Sequence, residues 1–252
     1  MIKSFITAIK TLTRFPIKGK ETTDFASSLT WFPVVGFILA TILSGIIHTV
    51  RYFSKEPWNE ATALLIILLS VLFTGALHLD GFADWADSLG ALHNKEKMLT
   101  IMKDSNSGAF GIIAIVLLLI SKWIVLVKLL ELHLAITGLF ISYVTSRFAM
   151  VYLAVTLPYA RTGNGTAKQF IQNANNKHLI SSLLISLVLL FAIGNIPAII
   201  FFSIGFIVTL MWKLWCKKNL NGITGDLLGA GSELVEVFSL YFLILFHDIF
   251  FF

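Results

Sequence analysis

The sequence predicts an all-α fold: a polytopic membrane protein of about seven transmembrane helices, with its polar loops gathered on one side. Three observations predict it. Of 252 residues, 57% are hydrophobic and 13% are charged, against about 25% charged in a soluble domain. Apolar runs close to 20 residues recur along the chain, the length that crosses about 30 Å of hydrocarbon. Lysine and arginine fall almost entirely into alternate intervals between those runs, which marks a fixed orientation in the bilayer.

Residues 1–28 read as a basic amphipathic N-terminal segment. Ile2, Phe5, Ile6 and Ile9 share one side of a short helix, with Lys3 and Lys10 away from it. Such a helix can lie on an anionic membrane surface, or simply be the basic flank of the first span. Its basic residues are scattered, without the uninterrupted apolar core or cleavage site of a signal peptide. Spans are expected at roughly 31–50, 61–78, 109–130, 132–157, 179–194, 196–215 and 234–252. "GNIP" between the fifth and sixth predicts a tight turn, with Pro197 opening the second helix, and "ELH" at 131–133 separates the third from the fourth. No internal repeat divides the chain, so residues 1–252 are read as one domain.

Seven spans put the N-terminus and the intervals 79–108, 158–178 and 213–233 on one side. These carry 5, 3, 3 and 3 basic residues, 14 of the 19 in the chain, while the opposite side holds only Arg51 and Lys55. The positive-inside bias then makes the N-terminus and all three long polar loops cytoplasmic and the C-terminus external. The net charge of +5 is spread among these loops and forms no basic face, which argues against nucleic acid as a partner. Cys216 is the only cysteine; it rules out an intrachain disulfide and argues against a zinc–thiolate cluster.

The candidate chemistry begins at "LHLDGFADWADS". In a helix, Asp80, Asp84 and Asp87 fall within an arc of roughly 60°. Like charges that close raise one another's pKa unless a cation compensates. Hard oxygens gathered at one point suit Mg2+, which takes one or two carboxylates and completes its shell with water and phosphate oxygens. The plain alternative is a solvated helix face, but the intervening Phe82, Ala83, Trp85 and Ala86 are apolar. His78, beside the cluster, is able to titrate near neutrality, although such a histidine is more often a hydrogen-bonding residue at the interface.

Three further blocks fall on the same side. In "IMKDSNSGAFG", Lys103 and Asp104 precede a small, flexible run whose backbone N–H groups, at a helix start, can meet a phosphate or be capped by Ser or Asn. Arg147 lies within the fourth span, where a charge is expensive and faces the protein interior or water; Arg161 follows just beyond it. In "NGITGDLLGAGSELVE", Gly222, Gly225, Gly229 and Gly231 permit close backbone approach or positive φ, with Asp226, Glu233 and Glu236 among them.

In order and spacing, "GALHLDGFADWADSLGA", "IMKDSNSGAFG", "SRFAMVYLAVTLPYAR" and "NGITGDLLGAGSELVE" resemble the four signature segments of the cobalamin synthase (adenosylcobinamide-GDP ribazoletransferase) family. "LTRFPI" resembles that family's N-terminal segment, and the likeness runs through essentially the whole chain; Ser88, Asn106 and Ser107 depart from the family's pattern. The resemblance implies a Mg2+-dependent transferase of the inner membrane that joins adenosylcobinamide-GDP to alpha-ribazole or its 5′-phosphate and releases GMP. On that reading Asp80, Asp84 and Asp87 hold the metal. Asp84, Asp104, Asp226 and Arg147 are catalytic, and His78, Lys103, Arg161 and Gly225 bind substrate. The partners are the two substrates and the lipid bilayer, with association into a homo-oligomer left open. The competing readings are a CDP-alcohol-type phosphotransferase, whose alanine–arginine pair is replaced here at Asp84; a prenyltransferase, which would show two aspartate-rich motifs; and an ion- or proton-coupled transporter, whose polar residues would sit near the midplane.

Overall fold

Long apolar segments and the glycine or asparagine breaks between them dictate where each helix stops. A computed structural model of the protein describes residues 1–104, 106–163 and 165–250, apart from the side chains of 248 and 250. Ser105 of the second polar block, and the last two residues of the final predicted span, lie outside the described residues. Among those described there are ten α-helices and no strand, only an isolated bridge between Tyr159 and Ile223.

The chain opens with α1 (Ile2–Leu12), and a 3-10 turn (Phe25–Trp31) then leads into α2 (Phe32–Phe53). Thr7, Ala8, Ile9 and Leu12 of α1 are buried, Phe5 packs edge-on against Trp31 at 5.5 Å, and Ile2 is exposed. The amphipathic helix therefore docks on its own protein through a face rotated from the predicted one.

The second predicted span is shorter than expected. The helix α3 (Asn59–Thr74) ends at Gly75 (φ 63°) and Ala76 (φ 57°), and α4 (Leu77–Ser88) leaves at 91° to it. A bend this sharp turns the aspartate helix out of the span direction. A short α5 (Lys95–Ile101) is followed by α6 (Ala109–Glu131) and α7 (Ala135–Thr156), separated at His133 (φ 58°), where "ELH" predicts the break. Over its most apolar stretch α7 is 89% buried, against 28% for α6, so α7 is the central helix and α6 is largely lipid-facing.

After α8 (Thr166–Gln172), the helix α9 (Asn176–Leu220) runs for 45 residues, about 67 Å at 1.5 Å per residue and twice the hydrocarbon thickness. It is broken at Gly194 and Asn195, whose φ/ψ values are not helical. Near its start Ser181 bonds Thr30, and near its end Trp212 donates to the Leu227 carbonyl, both at one end of the bundle; a Cβ at Gly194 would approach Thr137 at the other end. The helix is therefore a hairpin of two crossings, as "GNIP" predicts. Among the described residues five helices are long and apolar enough to span, or six with the bent α3–α4 pair, which roughly fits the expected seven.

The last helix, α10 (Gly225–Phe250), starts nine residues before the predicted span. The glycine-rich block read as a loop is thus its first turns. Packing overrides the weak helix propensity of glycine here, because the missing side chains are what let α10 lie against its neighbours.

Candidate active site

Three glycine positions bring the acidic residues together. A Cβ on Gly81 of α4 would come within 2.5 Å of the Asp226 carbonyl oxygen, and one on Gly229 of α10 would come within 3.1 Å of the His78 Cα. On Gly231, the third, it would come within 2.5 Å of the Trp212 ring, holding α10 against α9. The close approach of α4 and α10 sets Asp226 beside Asp80 and Asp84. Replacement Gly81→Ala, which forces backbone against backbone, is expected to cost about 1–3 kcal/mol and to lower the melting temperature in detergent. Gly90→Ala, where a Cβ meets nothing within 4 Å, should leave it within a degree or two.

Asp80 is exposed and Asp84 half-buried, and among the described residues no cation pairs with either. Asp226 is held by Arg161, whose Nη2 donates to its Oδ2 at 2.7 Å and to the Met102 carbonyl at 3.1 Å. That second bond draws the end of α5 to the site. On α4, beyond the bend, burial and then the neighbouring charges of Asp80 and Asp226 push the Asp84 carboxyl up to about 7, while Arg161 pulls it the other way. Because the fold favours the protonated form, this group contributes stability below its ordinary value of 3.8 that is lost as pH rises through 7. Infrared titration of the metal-free protein should show a carboxyl midpoint near 7, moving down in Asp80→Asn, which removes a like charge.

Asp87 points elsewhere. Its Oδ2 accepts from the Gly108 N–H at 2.7 Å and its Oδ1 from the Gly111 N–H at 2.8 Å. The start of α6, where the sequence suggests amides free for a phosphate, is satisfied by the protein's own carboxylate. Both oxygens keep a lone pair, but they primarily tie α4 to α6, and Asp80 and Asp84 are the freer pair. Asp104 and Lys103 are exposed in the turn after α5, and Asp104 Oδ1 accepts from the backbone and side chain of Asn106.

A cavity of about 910 Å3 opens beside Asp80 and Asp226 and is lined also by His78, Gly225, Arg14 and Lys168. Gly225 lines this cavity at the N-terminus of α10. Arg14 and Lys168 are cations that the site reading did not include, although Arg14 belongs to the "LTRFPI" segment and Lys168 to one of the basic loops. A second cavity of about 490 Å3 shares Lys168 and is lined by Arg161 and Tyr159.

Arg147 departs most from its expected role. It is 1% exposed and lies among protein groups, not on the large cavity: Nη1 donates to Glu236 Oε1 at 2.7 Å, Ser232 at 2.6 Å and Ser146 at 3.0 Å. Lys122 of α6 pairs with Glu233 at 2.5 Å and Glu236 at 2.8 Å. Two carboxylates and two cations thus balance within the bundle, tying α6, α7 and α10 together. His78 is buried at the junction, with a ring nitrogen within 4.8 Å of oxygens of both glutamates. The signal for this network was present as charged residues inside spans, but pairing them needed the tertiary structure.

The comparisons agree with this architecture. Residues 4–244 match the family described as cobalamin-5-phosphate synthase. Relatives named adenosylcobinamide-GDP ribazoletransferase include those of Chlorobium phaeobacteroides (38% identical, covering 94% of this chain and 95% of the relative), Chlorobaculum parvum (39%, covering 94% and 93%) and Syntrophobacter fumaroxidans (34%, covering 94% and 96%). No solved structure matches the chain. The match over nearly the whole length, together with four polar blocks converging on one end of a helical membrane bundle, places the chain in the cobalamin-5-phosphate synthase family.

Proposed function

We propose that the protein joins adenosylcobinamide-GDP to alpha-ribazole or its 5′-phosphate and releases GMP. The observation that carries this reading is the gathering of Asp80, Asp84 and the Asp226–Arg161 pair, of which Asp80 and Asp226 line one cavity, in a chain whose relatives bear that activity's name. In the reaction a free ribose hydroxyl of the ribazole, not the 5′-oxygen that carries the phosphate in the 5′-phosphate acceptor, bonds through its oxygen to the phosphorus that stays with the cobinamide. The bond from that phosphorus to the bridging oxygen breaks, GMP leaves with the oxygen, and the hydroxyl proton passes to a base.

The donor set fits a hard divalent cation: Asp80 and Asp84 offer carboxylate oxygens that, among the described residues, form no ion pair with a protein cation. Mg2+ held there would offset charge on the pyrophosphate and on the departing phosphate. Asp226, oriented by Arg161, is placed to accept the hydroxyl proton. Arg14 and Lys168 supply positive charge along the cavity, and Asp87 holds α4 in register through α6. The basic bias of the loops supports a site facing the cytoplasm from the inner membrane. Neither a CDP-alcohol phosphotransferase nor a transporter is favoured by the family match.

The test is GMP release by the detergent-purified protein given both substrates and Mg2+, with and without chelator. Metal-dependent GMP together with a cobamide product is the expected result. Well-folded protein that releases none would overturn the reading.

A further inference from the structure

The large cavity has two unlike halves. Asp80 and Arg14 are exposed, and Asp226 and Lys168 are half-buried; these make a charged rim. The buried part of the lining is largely hydrocarbon. Leu12, Leu29, Phe32 and Met150 are buried there, and Phe25 and Phe170 meet edge-on with centroids 5.4 Å apart. Thr11 also lines the cavity, but its hydroxyl is occupied by the Thr7 carbonyl at 2.7 Å. The two glutamines of α8 at the cavity, Gln169 and Gln172, are exposed.

We propose that this buried apolar half is the binding site for the base of the nucleoside acceptor, a two-ring aromatic of the benzimidazole type, with its ribose directed toward Asp80 and Asp226. The inference rests on the transferase reading above and adds which substrate the cavity takes. Three physical arguments carry it. The volume of about 910 Å3 lies in the range of small-molecule sites, about 300–1,000 Å3; it accommodates a nucleoside but not a corrin ring with its side chains. A dimethylbenzimidazole has an apolar edge and two faces, and it can pack against the Phe25–Phe170 pair from the cavity side in the edge-to-face geometry that aromatic rings prefer. A guanine has donors and acceptors along its edge, and burying those against Leu12, Leu29 and Met150 without partners would cost several kcal/mol, on the order of 2–7. The guanosine end of the other substrate therefore belongs outside this half. The walls come from α1, the Phe25–Trp31 turn and α8, so the N-terminal segment becomes part of the substrate site.

The test uses the full chain in detergent. Phe170→Ala, on the short helix α8, is expected to raise KM for alpha-ribazole about tenfold more than KM for adenosylcobinamide-GDP, the scale of a hydrophobic pocket contact. Phe25→Ala, on a separate element, should give the same asymmetry and keeps the test decisive if one variant folds poorly. Calorimetric titration of alpha-ribazole alone into the wild-type protein should show binding that both variants weaken. A larger rise in KM for adenosylcobinamide-GDP would overturn the assignment in favour of a guanine site, and unchanged KM values for both substrates would overturn it outright. Failure of the wild type to release GMP would instead sink the transferase reading, and the calorimetric titration would still decide whether the cavity binds the nucleoside.

Discussion

Asp84→Asn is expected to lower GMP release by at least about 100-fold, the scale on which lost metal-site or transition-state contacts act, while the protein stays folded. Asparagine keeps the shape and removes the charge. In the folded chain that charge is set against Asp80 and Asp226, and its carboxyl is pushed up to about 7. Losing it should leave the melting temperature at pH 8 equal or higher. The informative contrast is Asp87→Asn. Its two oxygens accept the Gly108 and Gly111 N–H groups, and an amide offers only one acceptor oxygen, so this variant should lose about 0.5–2 kcal/mol, as for a helix cap. Stability would fall there more than it falls in Asp84→Asn. Activity near the wild-type level in well-folded Asp84→Asn would remove this carboxylate from the chemistry altogether.

Glu236→Gln carries the largest expected effect on stability. Glu236 accepts from Arg147 and Lys122 at once, and all three are buried. Neutralising it leaves Arg147 uncompensated and Lys122 with Glu233 alone. Breaking a buried ion pair by changing one partner costs about 3–5 kcal/mol, and thermal unfolding in detergent should show a drop of that order. The double variant Arg147→Met with Glu236→Gln should recover part of the loss, because the Lys122–Glu233 pair then balances. If Arg147 instead contacts phosphate, Arg147→Lys would raise substrate KM with little change in unfolding temperature; the network predicts the reverse.

The helical class, the rough number of crossings and the clustering of polar blocks were legible because they follow from local properties. Apolar length sets a span, and Gly194 with Pro197 sets a turn whatever surrounds it. The aspartate face was legible for the same reason, since spacing on one helix needs no partner. The end of α3 at Gly75 was not, because "FTGALHL" is apolar on both sides of the bend and hydropathy cannot register a 91° change of direction.

What only the tertiary structure decided concerns groups far apart in the chain. The close approach of Gly81 to Asp226, 145 positions apart by subtraction, turned a glycine-rich loop into the opening turns of α10. Asp87 became an anchor for α6, and Arg147, catalytic on the family resemblance, pairs with Glu236. Lys168 and Arg14 were drawn to the cavity from loops where each looked like one more basic residue. The sequence by itself determined the elements and the kind of chemistry, because those depend on residues near one another along the chain. The division of labour among the charged groups was decided by packing, since a charge takes its role from the partner that compensates it.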